Sequence, residues 1–227
     1  TLTKSRFTMP RMARLVVPGY PHHVTQRGNR GQTTFPEKTD YLAYIELVAE
    51  LKDEAGVDIW AYCLMPNHVH LVAVPQHKHS FAKLFGVAHR RYAQRFNAAR
   101  GWTGHLWQDR FHSFVMDEAH LLAAVRYVEL NPLRAGLCSR PDDWRWSSAA
   151  AHLKGAPDSL VSVSPMRERV SDWQSYLCDE VTTETLDTLR KHTRSGRPSS
   201  DIKFIEELEA LTGLRLRRRL PGPPKAR

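Results

Sequence analysis

The sequence predicts an α+β fold: an antiparallel sheet with two helices on one face, an added helix and a small helical extension. Three observations lead to this fold class. The apolar patterns follow the order strand, helix, strand, strand, helix, strand, which is the split βαβ arrangement. The two helical segments have apolar residues at three- and four-residue spacing. A Pro-Asn pair between the second and third strands indicates a hairpin.

The first half of the chain supplies most of these elements. Residues 19–29 predict a strand that ends in a Gly-Asn turn. Residues 36–56 predict a helix, because a proline stands near the start, acids fill the first turn and a glycine follows the end. Strands follow over 57–66 and 68–75. A second helix, over about 80–100, has the apolar stripe Phe81, Phe85, Ala88, Tyr92 and Phe96.

A glycine- and tryptophan-rich loop then leads into the last strand and the added helix. Residues 111–117 predict the fourth strand. Residues 118–131 predict a helix that ends near Asn131, because Pro132 disfavours helical geometry in the residue before it. This helix is additional to the split βαβ order.

The C-terminal part differs in pattern from the rest. We expect two or three short helices within residues 171–193 and 199–213. The basic, proline-containing tail 215–227 indicates a segment that orders only with a partner. The predicted division is therefore a first domain over 1–155 and a helical extension with a basic tail over 156–227.

Composition limits the classes of protein to which the chain can belong. Its 227 residues are 41% hydrophobic, yet no apolar run approaches the roughly 18 residues of a membrane span. The N-terminal residues lack the hydrophobic region of a secretory signal. Cys63, Cys138 and Cys178 lie far apart, which argues against a disulfide framework or a zinc knuckle. A cytoplasmic, nucleoid-associated location is the expectation.

Positive charge is concentrated in particular segments of the chain. The formal net charge is +9. Residues 1–36 and 214–227 contain lysine and arginine but no acid, and residues 81–110 contain a single acid, Asp109. Segregated positive charge favours a polyanionic partner, most commonly nucleic acid. A basic protein whose charged faces are merely solvated is the alternative.

His68 and His70 flank one valine inside the apolar run MPNHVHLV. Residues two apart in a strand point to the same face, so both imidazoles project together. Two neutral imidazoles suit one divalent ion, although a tight site needs a further ligand; ordinary sheet histidines are the alternative. The HExxH motif of zinc proteases and the HxE…PCxxC pattern of base deaminases are both absent from the sequence.

The segment RYVELNP, residues 126–132, offers what the histidine pair lacks. Tyr127 and Asn131 are four residues apart on the predicted helix, and therefore on one face. The amide oxygen of Asn131 is a ligand type that suits Mg²⁺ or Mn²⁺. Tyr127 beside it would be a nucleophile. A core aromatic is the alternative for Tyr127, since it also continues an apolar stripe with Ala123 and Leu130.

Several separated motifs resemble the HUH single-tyrosine transposases, in particular their REP-associated branch. The motifs are GYPHHVTQRGNRGQ, HVH after MPN, LWQDRFHS, RYVELNP and NPLRAGL…PDDWRWSSAAAH, in that order. The similarity runs from about residue 11 to residue 153. It implies a ferredoxin-like sheet, which agrees with the order of elements predicted independently.

The resemblance also implies a chemistry and a partner. His68, His70 and Asn131 would hold Mg²⁺ or Mn²⁺, and Tyr127 would be the catalytic tyrosine. The family cuts beside single-stranded DNA hairpins formed by palindromic repeats. Tyr127 would attack the scissile phosphorus and form a 5′-phosphotyrosine while a 3′-hydroxyl leaves. A tyrosine hydroxyl is a weak nucleophile at neutral pH, so a nearby metal or a water base must assist.

The charge pattern gives candidate DNA contacts on the loops and on the second helix. They are Gln26, Arg27, Asn29, Arg30, Arg90, Arg91, Arg95, Trp107 and Arg110. Phosphate neutralisation would make binding steeply salt-dependent. Trp102 and Trp107 would either stack on unpaired bases or pack beneath their loop. The tail is expected to be a nonspecific DNA anchor, and the C-terminal helices to gate the active site or bind a partner.

Two other functions fit parts of this pattern. A non-catalytic regulator that binds DNA or RNA hairpins would need none of the predicted catalytic residues, and its sheet would show exposed aromatics. A replication initiator would use the same chemistry, but the resemblance around residues 126–148 argues against it. The oligomeric state stays open between monomer and dimer.

Overall fold

A four-stranded antiparallel sheet forms the centre of the computed structural model, which describes residues 14–179, 182–198 and 201–217. The strands, labelled β1 to β4 in chain order, are His22–Arg27, Val57–Met65, His68–Pro75 and His112–Val115. Their order across the sheet is β2-β3-β1-β4. This is the order of the ferredoxin-like, split βαβ fold, so the predicted fold class is confirmed.

Helices cover both faces of the sheet. Short 3₁₀ turns occupy Asn29–Gly31 and Pro141–Asp143. The α-helices are α1 (Lys38–Lys52), α2 (Ser80–Arg100), α3 (Glu118–Glu129), α4 (Asn131–Arg134), α5 (Ala149–Lys154), α6 (Ser164–Arg167), α7 (Trp173–Cys178), α8 (Thr183–Ser195) and α9 (Ile202–Thr212). In the part of the chain that the structure describes, no helix has the length and apolar character needed to cross a membrane.

Alternation along β3 decides which side chains face which helices. Val69 and Leu71 belong to the core that α1 and α2 cover, whereas Val72 belongs to the core beneath α3. His68 and His70 share the register of Val72, so both imidazoles lie on the α3 side. The sheet thus separates a filled apolar layer from a layer that contains the histidine pair.

The packing of α1 and α2 follows the sequence pattern closely. Every residue of the predicted α2 stripe is buried. A capping box between Glu37 and Asp40 begins α1. The same Asp40 carboxylate accepts a hydrogen bond from Arg100 of α2 at 2.7 Å, and Gly101 ends α2 in the left-handed conformation. The predicted helix over about 80–100 agrees with α2, whereas α1 ends at Lys52, several residues before the glycine that is expected to follow it.

The chain stays helical past Pro132, which the sequence did not predict. Helix α3 ends at Glu129, and Leu130 keeps φ −86° and ψ 0°. The short helix α4 then begins at Asn131. A proline is tolerated in a first turn because its missing N–H would have no intrahelical partner there. Pro132 therefore lies in the first turn of α4, and the chain remains helical beyond it.

The C-terminal extension shares its core with the sheet. The expected helices within 171–193 and 199–213 are present as α7, α8 and α9. Met166, Trp173 and Leu189 belong to the same apolar cluster as α3 and the adjoining faces of β2 and β3. Most of the basic tail predicted to anchor DNA lies outside the described residues.

Two histidines on the α1–α2 side are fixed in the neutral state. The His22 ring accepts from the Val17 amide and donates to the Tyr20 carbonyl, and burial lowers its pKa to about 4. The His89 ring bonds the Tyr44 hydroxyl at 2.9 Å, and burial lowers its pKa to about 3. Burial thus disfavours protonation of both imidazoles in the folded chain, whereas in the unfolded chain they are exposed to water.

We expect the free energy of unfolding to decrease as the pH falls below about 6.5, the ordinary imidazole pKa. The unfolded chain takes up protons there, whereas folded His22 and His89 take them up only near pH 4 and pH 3. Each lowers stability by roughly 2–3 kcal/mol at about pH 4.5. Urea midpoints near neutral pH and near pH 4.5 measure the effect. His89→Gln removes one of the two imidazoles, so the loss of stability that they cause together should be about half as large in that variant. An unchanged pH dependence would contradict the role of His89.

Candidate active site

An open cleft of about 660 Å³ lies on the α3 side of the sheet. Its walls come from the end of β1, the start of β3, the loop before β4, α3 and α8. The lining consists of Thr25, Gln26, Arg27, His68, His70, Gln108, Asp109, Arg110, His112, Tyr127, Arg190 and Thr193. The predicted histidine pair and the predicted tyrosine thus open onto one cleft, although they are far apart in sequence.

The aromatic rings in this cleft are in direct contact. The centroids of His68 and His70 are 4.8 Å apart. The Tyr127 ring stands edge-on to His70, with centroids 5.5 Å apart and an interplanar angle of 88°. Helix α3 crosses the β2–β3 part of the sheet, and that crossing brings Tyr127 over the pair.

Each imidazole of the pair is held through Nδ1. His68 Nδ1 lies 2.6 Å from Asn67 Oδ1, and His70 Nδ1 lies 2.9 Å from His23 Nε2. Nothing among the described residues hydrogen-bonds Nε2 of either ring, so Nε2 is left for a ligand. Hydrogen bonds to the ring nitrogen that does not face the ligand fix the orientation of metal-binding histidines.

Burial keeps both imidazoles neutral. Desolvation, with a contribution from nearby Arg27, lowers the pKa of His68 to about 4. Desolvation also holds the pKa of His70 well below its ordinary value, and the neighbouring rings and guanidinium groups add to the shift. The neutral form is the one that coordinates a metal ion.

His23 is part of the site, and sequence reasoning did not assign it there. It pairs with Val72 across the β1–β3 ladder, and its ring stacks on His70 with centroids 5.1 Å apart. Burial lowers its pKa to about 3. His22 and His23 are adjacent in the segment GYPHHVTQRGN, so in a strand their side chains point to opposite faces of the sheet. Only the strand register shows which of the two contacts His70.

Asn131 and Tyr127 both contact Arg134. Arg134 donates to Asn131 Oδ1 at 3.1 Å and to the Tyr127 carbonyl, and its guanidinium carbon is 4.4 Å from the Tyr127 ring centroid. Asn131 is buried, and its Nδ2 has no hydrogen-bond partner. It does not line the cleft and makes no hydrogen bond to either imidazole.

The side chains in the cleft fit a divalent ion if a third ligand joins the two imidazoles. Nε2 of His68 and of His70 are two suitable ligands. No cluster of three or more histidine, cysteine, aspartate or glutamate side chains in the described ranges is placed to hold a metal. A third protein ligand would come from another residue type, and the amide oxygen of Asn131 would serve if it exchanged its Arg134 contact for the ion.

Gln26, Arg27 and Arg110 of the predicted DNA contacts line the cleft. Asn29 and Arg30 form the 3₁₀ turn that follows β1. Arg30 has φ +53°, a left-handed conformation that no other non-glycine residue in the described ranges adopts. Strain of this kind is most common at functional sites.

Of the three α2 candidates, Arg90 lines a second, neighbouring cleft. Arg90, Trp107 and Arg110 are among the residues that line its roughly 560 Å³. The two clefts share the lining residues 108–110. Arg95 is exposed, and Arg91 pairs with a surface glutamate at 3.0 Å.

Trp107 packs beneath its loop. The indole N–H donates to the His89 carbonyl at 2.9 Å, and the ring contacts Tyr44 and Tyr92. This is the second of the two arrangements considered for this tryptophan. Trp102 is 56% exposed and keeps a free face for stacking.

A buried polar cluster holds the end of α3 beside the site. Glu129 is fully buried. Its Oε1 accepts from the Ser148 hydroxyl and lies 2.6 Å from His152 Nδ1, and its Oε2 accepts from the Trp173 indole at 2.9 Å. We call these four residues the Glu129 cluster. It joins α3, α5 and α7 two residues beyond Tyr127.

Comparison with known proteins assigns the chain to a family. Residues 17–131, half of the chain, match the family model described as "Transposase IS200 like". The chain therefore belongs to the IS200-like transposase family, and the family resemblance noted in the sequence is confirmed. None of the curated proteins matches the sequence.

The fold is also similar to a solved structure of a REP-associated tyrosine transposase bound to a REP hairpin. That chain is 20% identical, the alignment covers 68% of this chain and 92% of that one, and the TM-score is 0.53. A candidate transposase from Deinococcus radiodurans R1 is 23% identical over 53% of this chain and 96% of its own. Its TM-score of 0.36 is too low to support an argument.

We expect Glu129→Gln to lower the free energy of unfolding by about 1–3 kcal/mol. The amide keeps one acceptor oxygen but puts an N–H₂ group against the Ser148, His152 or Trp173 donors, which leaves a buried group unpaired. Urea denaturation measures the change. Glu168→Gln, at an exposed position, is the matched control. Equal stabilities of the two variants would show that the cluster does not depend on the carboxylate.

Proposed function

We propose that this transposase is a metal-dependent single-stranded DNA endonuclease and strand transferase that cuts beside palindromic DNA hairpins. One observation carries the proposal: His68, His70 and Tyr127 meet in one open cleft that arginines line. A hairpin-binding regulator without catalysis would have no use for this combination, because phosphate binding alone needs only cations and polar groups.

Tyr127 is the proposed nucleophile. Its hydroxyl oxygen bonds to the scissile phosphorus, the bond from phosphorus to the 3′-oxygen breaks, and a 5′-phosphotyrosine and a 3′-hydroxyl result. The tyrosine proton passes to water, and the leaving oxygen takes up a proton. Arg134 contacts both the ring and the backbone carbonyl of Tyr127, which restricts the directions in which the hydroxyl can point. A later attack by a 3′-hydroxyl on the phosphotyrosine reverses the step and joins strands without another energy source.

His68, His70 and Asn131 are the proposed ligands of Mg²⁺ or Mn²⁺. When bound, such an ion would supply Lewis-acid stabilisation of the charge that develops on the phosphate. The residues of the chain prepare the position: Asn67 and His23 orient the two imidazoles, and burial keeps them neutral.

The proposed substrate rests on the charge of the clefts and on the similar fold. The solved relative is described as bound to a REP hairpin. The two clefts of this chain carry Arg27, Arg90 and Arg110 and meet at the segment 108–110. These cations suit the phosphate backbone of a single strand that leaves a hairpin. Assignment to the REP-associated branch is part of this proposal.

Tyr127→Phe should abolish the covalent protein–DNA adduct and leave hairpin affinity within about twofold, because a single hydroxyl adds little to phosphate-dominated binding. The assay incubates the full chain with labelled hairpin oligonucleotides and Mg²⁺, followed by denaturing electrophoresis. Tyr20→Phe is the matched control, since the Tyr20 hydroxyl bonds the side chain of Glu207. An adduct that persists in the Tyr127 variant excludes this nucleophile.

Removal of divalent ions with a chelator should stop adduct formation, and added Mg²⁺ or Mn²⁺ should restore it. Direct Mn²⁺ binding, measured by electron paramagnetic resonance, should weaken by about tenfold or more in His70→Ala, because one of few ligands is lost. His79→Ala removes an exposed imidazole outside the cleft and should bind Mn²⁺ like the unmodified chain. Equal Mn²⁺ affinities of the two variants would contradict the proposed ligand set.

A further inference from the structure

One wall of the active-site cleft comes from outside the region that matches the family. The family model ends at residue 131, whereas α8 begins at Thr183. Two α8 residues, Arg190 and Thr193, nevertheless line the same cleft as Tyr127. The C-terminal extension therefore contributes side chains to the site that the family core does not supply.

The position of α8 is fixed by packing. Leu189 is fully buried in the apolar cluster that includes α3 and β4 residues, and α8 contacts β4, β1 and α3. Arg190 and Thr193 are three residues apart, which places them on one side of the helix. Because the adjacent Leu189 is anchored, Arg190 is held at the cleft and does not belong to a freely moving surface.

The charge around Arg190 favours an anion. Arg27 and Arg110 line the cleft with it, and Asp109 is the acid in the lining. Arg190 pairs with Asp187 at 3.0 Å, but the two side chains are 52% and 67% exposed. An ion pair this exposed is weak and exchanges readily for a stronger partner. The guanidinium is therefore available to a phosphate. The guanidinium of Arg190 suits a phosphate better than a point charge would, since it offers a fork of N–H donors that matches phosphate oxygens.

We propose that Arg190 is a phosphate-binding residue of the active site, supplied by the C-terminal extension, that binds the backbone of the DNA strand next to Tyr127. The inference rests on the proposed function and deepens it. The extension then completes the substrate cleft, in addition to covering the α3 side of the sheet.

The experiment compares Arg190→Ala and Arg190→Lys with Lys191→Ala in the full chain. Lys191 is the next residue of α8, is exposed and does not line the cleft, so its variant removes the same charge from the same helix. Hairpin oligonucleotides with a single-stranded flank serve as the probe. Affinity is measured at several salt concentrations, and adduct formation is followed over time.

We expect Arg190→Ala to weaken hairpin binding about tenfold and to reduce the slope of log affinity against log salt by about one. Lys191→Ala should stay within about twofold on both measures. Arg190→Lys should keep most of the salt dependence but form the adduct more slowly, because the lysine retains the charge and lacks the guanidinium fork. Urea midpoints verify that the variants are folded.

The outcomes separate the two proposals. If Arg190→Ala behaves like Lys191→Ala while the unmodified chain forms the adduct, the role of Arg190 is overturned and the proposed function stands. If the unmodified chain binds hairpins without forming an adduct, and Arg190→Ala still weakens binding and lowers the slope, the phosphate site stands and the proposed chemistry fails. Absence of hairpin binding by the unmodified chain overturns both.

Discussion

The antiparallel pairing of β1 with β3 is the constraint on which the site depends. Its register places Thr25 opposite His70 and Arg27 opposite His68, so a cation from β1 and both imidazoles from β3 share one face. A shift by a single residue would turn the histidines into the α1–α2 core and Val69 towards the cleft. The apolar core on the other face makes that shift unfavourable, because it would bury two imidazoles without partners.

Burial prepares the chemical groups that this register brings together. The imidazoles are neutral because the surroundings exclude water, and each is oriented through Nδ1 by a neighbouring polar side chain. The Glu129 cluster fixes the end of α3 from behind, so the position of Tyr127 depends on hydrogen bonds to α5 and α7. Ser148 and His152 belong to the motif PDDWRWSSAAAH. This motif thus supports the site through its hydrogen bonds to the Glu129 carboxylate, without lining the cleft.

The C-terminal extension links stability to the proposed function. It shares the apolar cluster beneath α3 and also contributes a wall of the cleft. An element that only shielded apolar surface would not need an arginine on its cleft side. Loss of its packing would therefore change both the free energy of unfolding and the surface that is proposed to bind DNA.

The sequence by itself determined the order of elements, the hairpin at residues 66–67, and the histidine pair with Tyr127. These follow from local periodicity, turn residues and spacing along the chain. Only the tertiary structure decided that His23 stacks on His70 and that Arg190 lines the cleft, because these positions depend on strand register and on how α8 packs across the sheet. Sequence spacing carries no information on such contacts between distant segments. The same reason explains Trp107: its indole N–H donates to the His89 carbonyl of α2, a contact that no local pattern encodes.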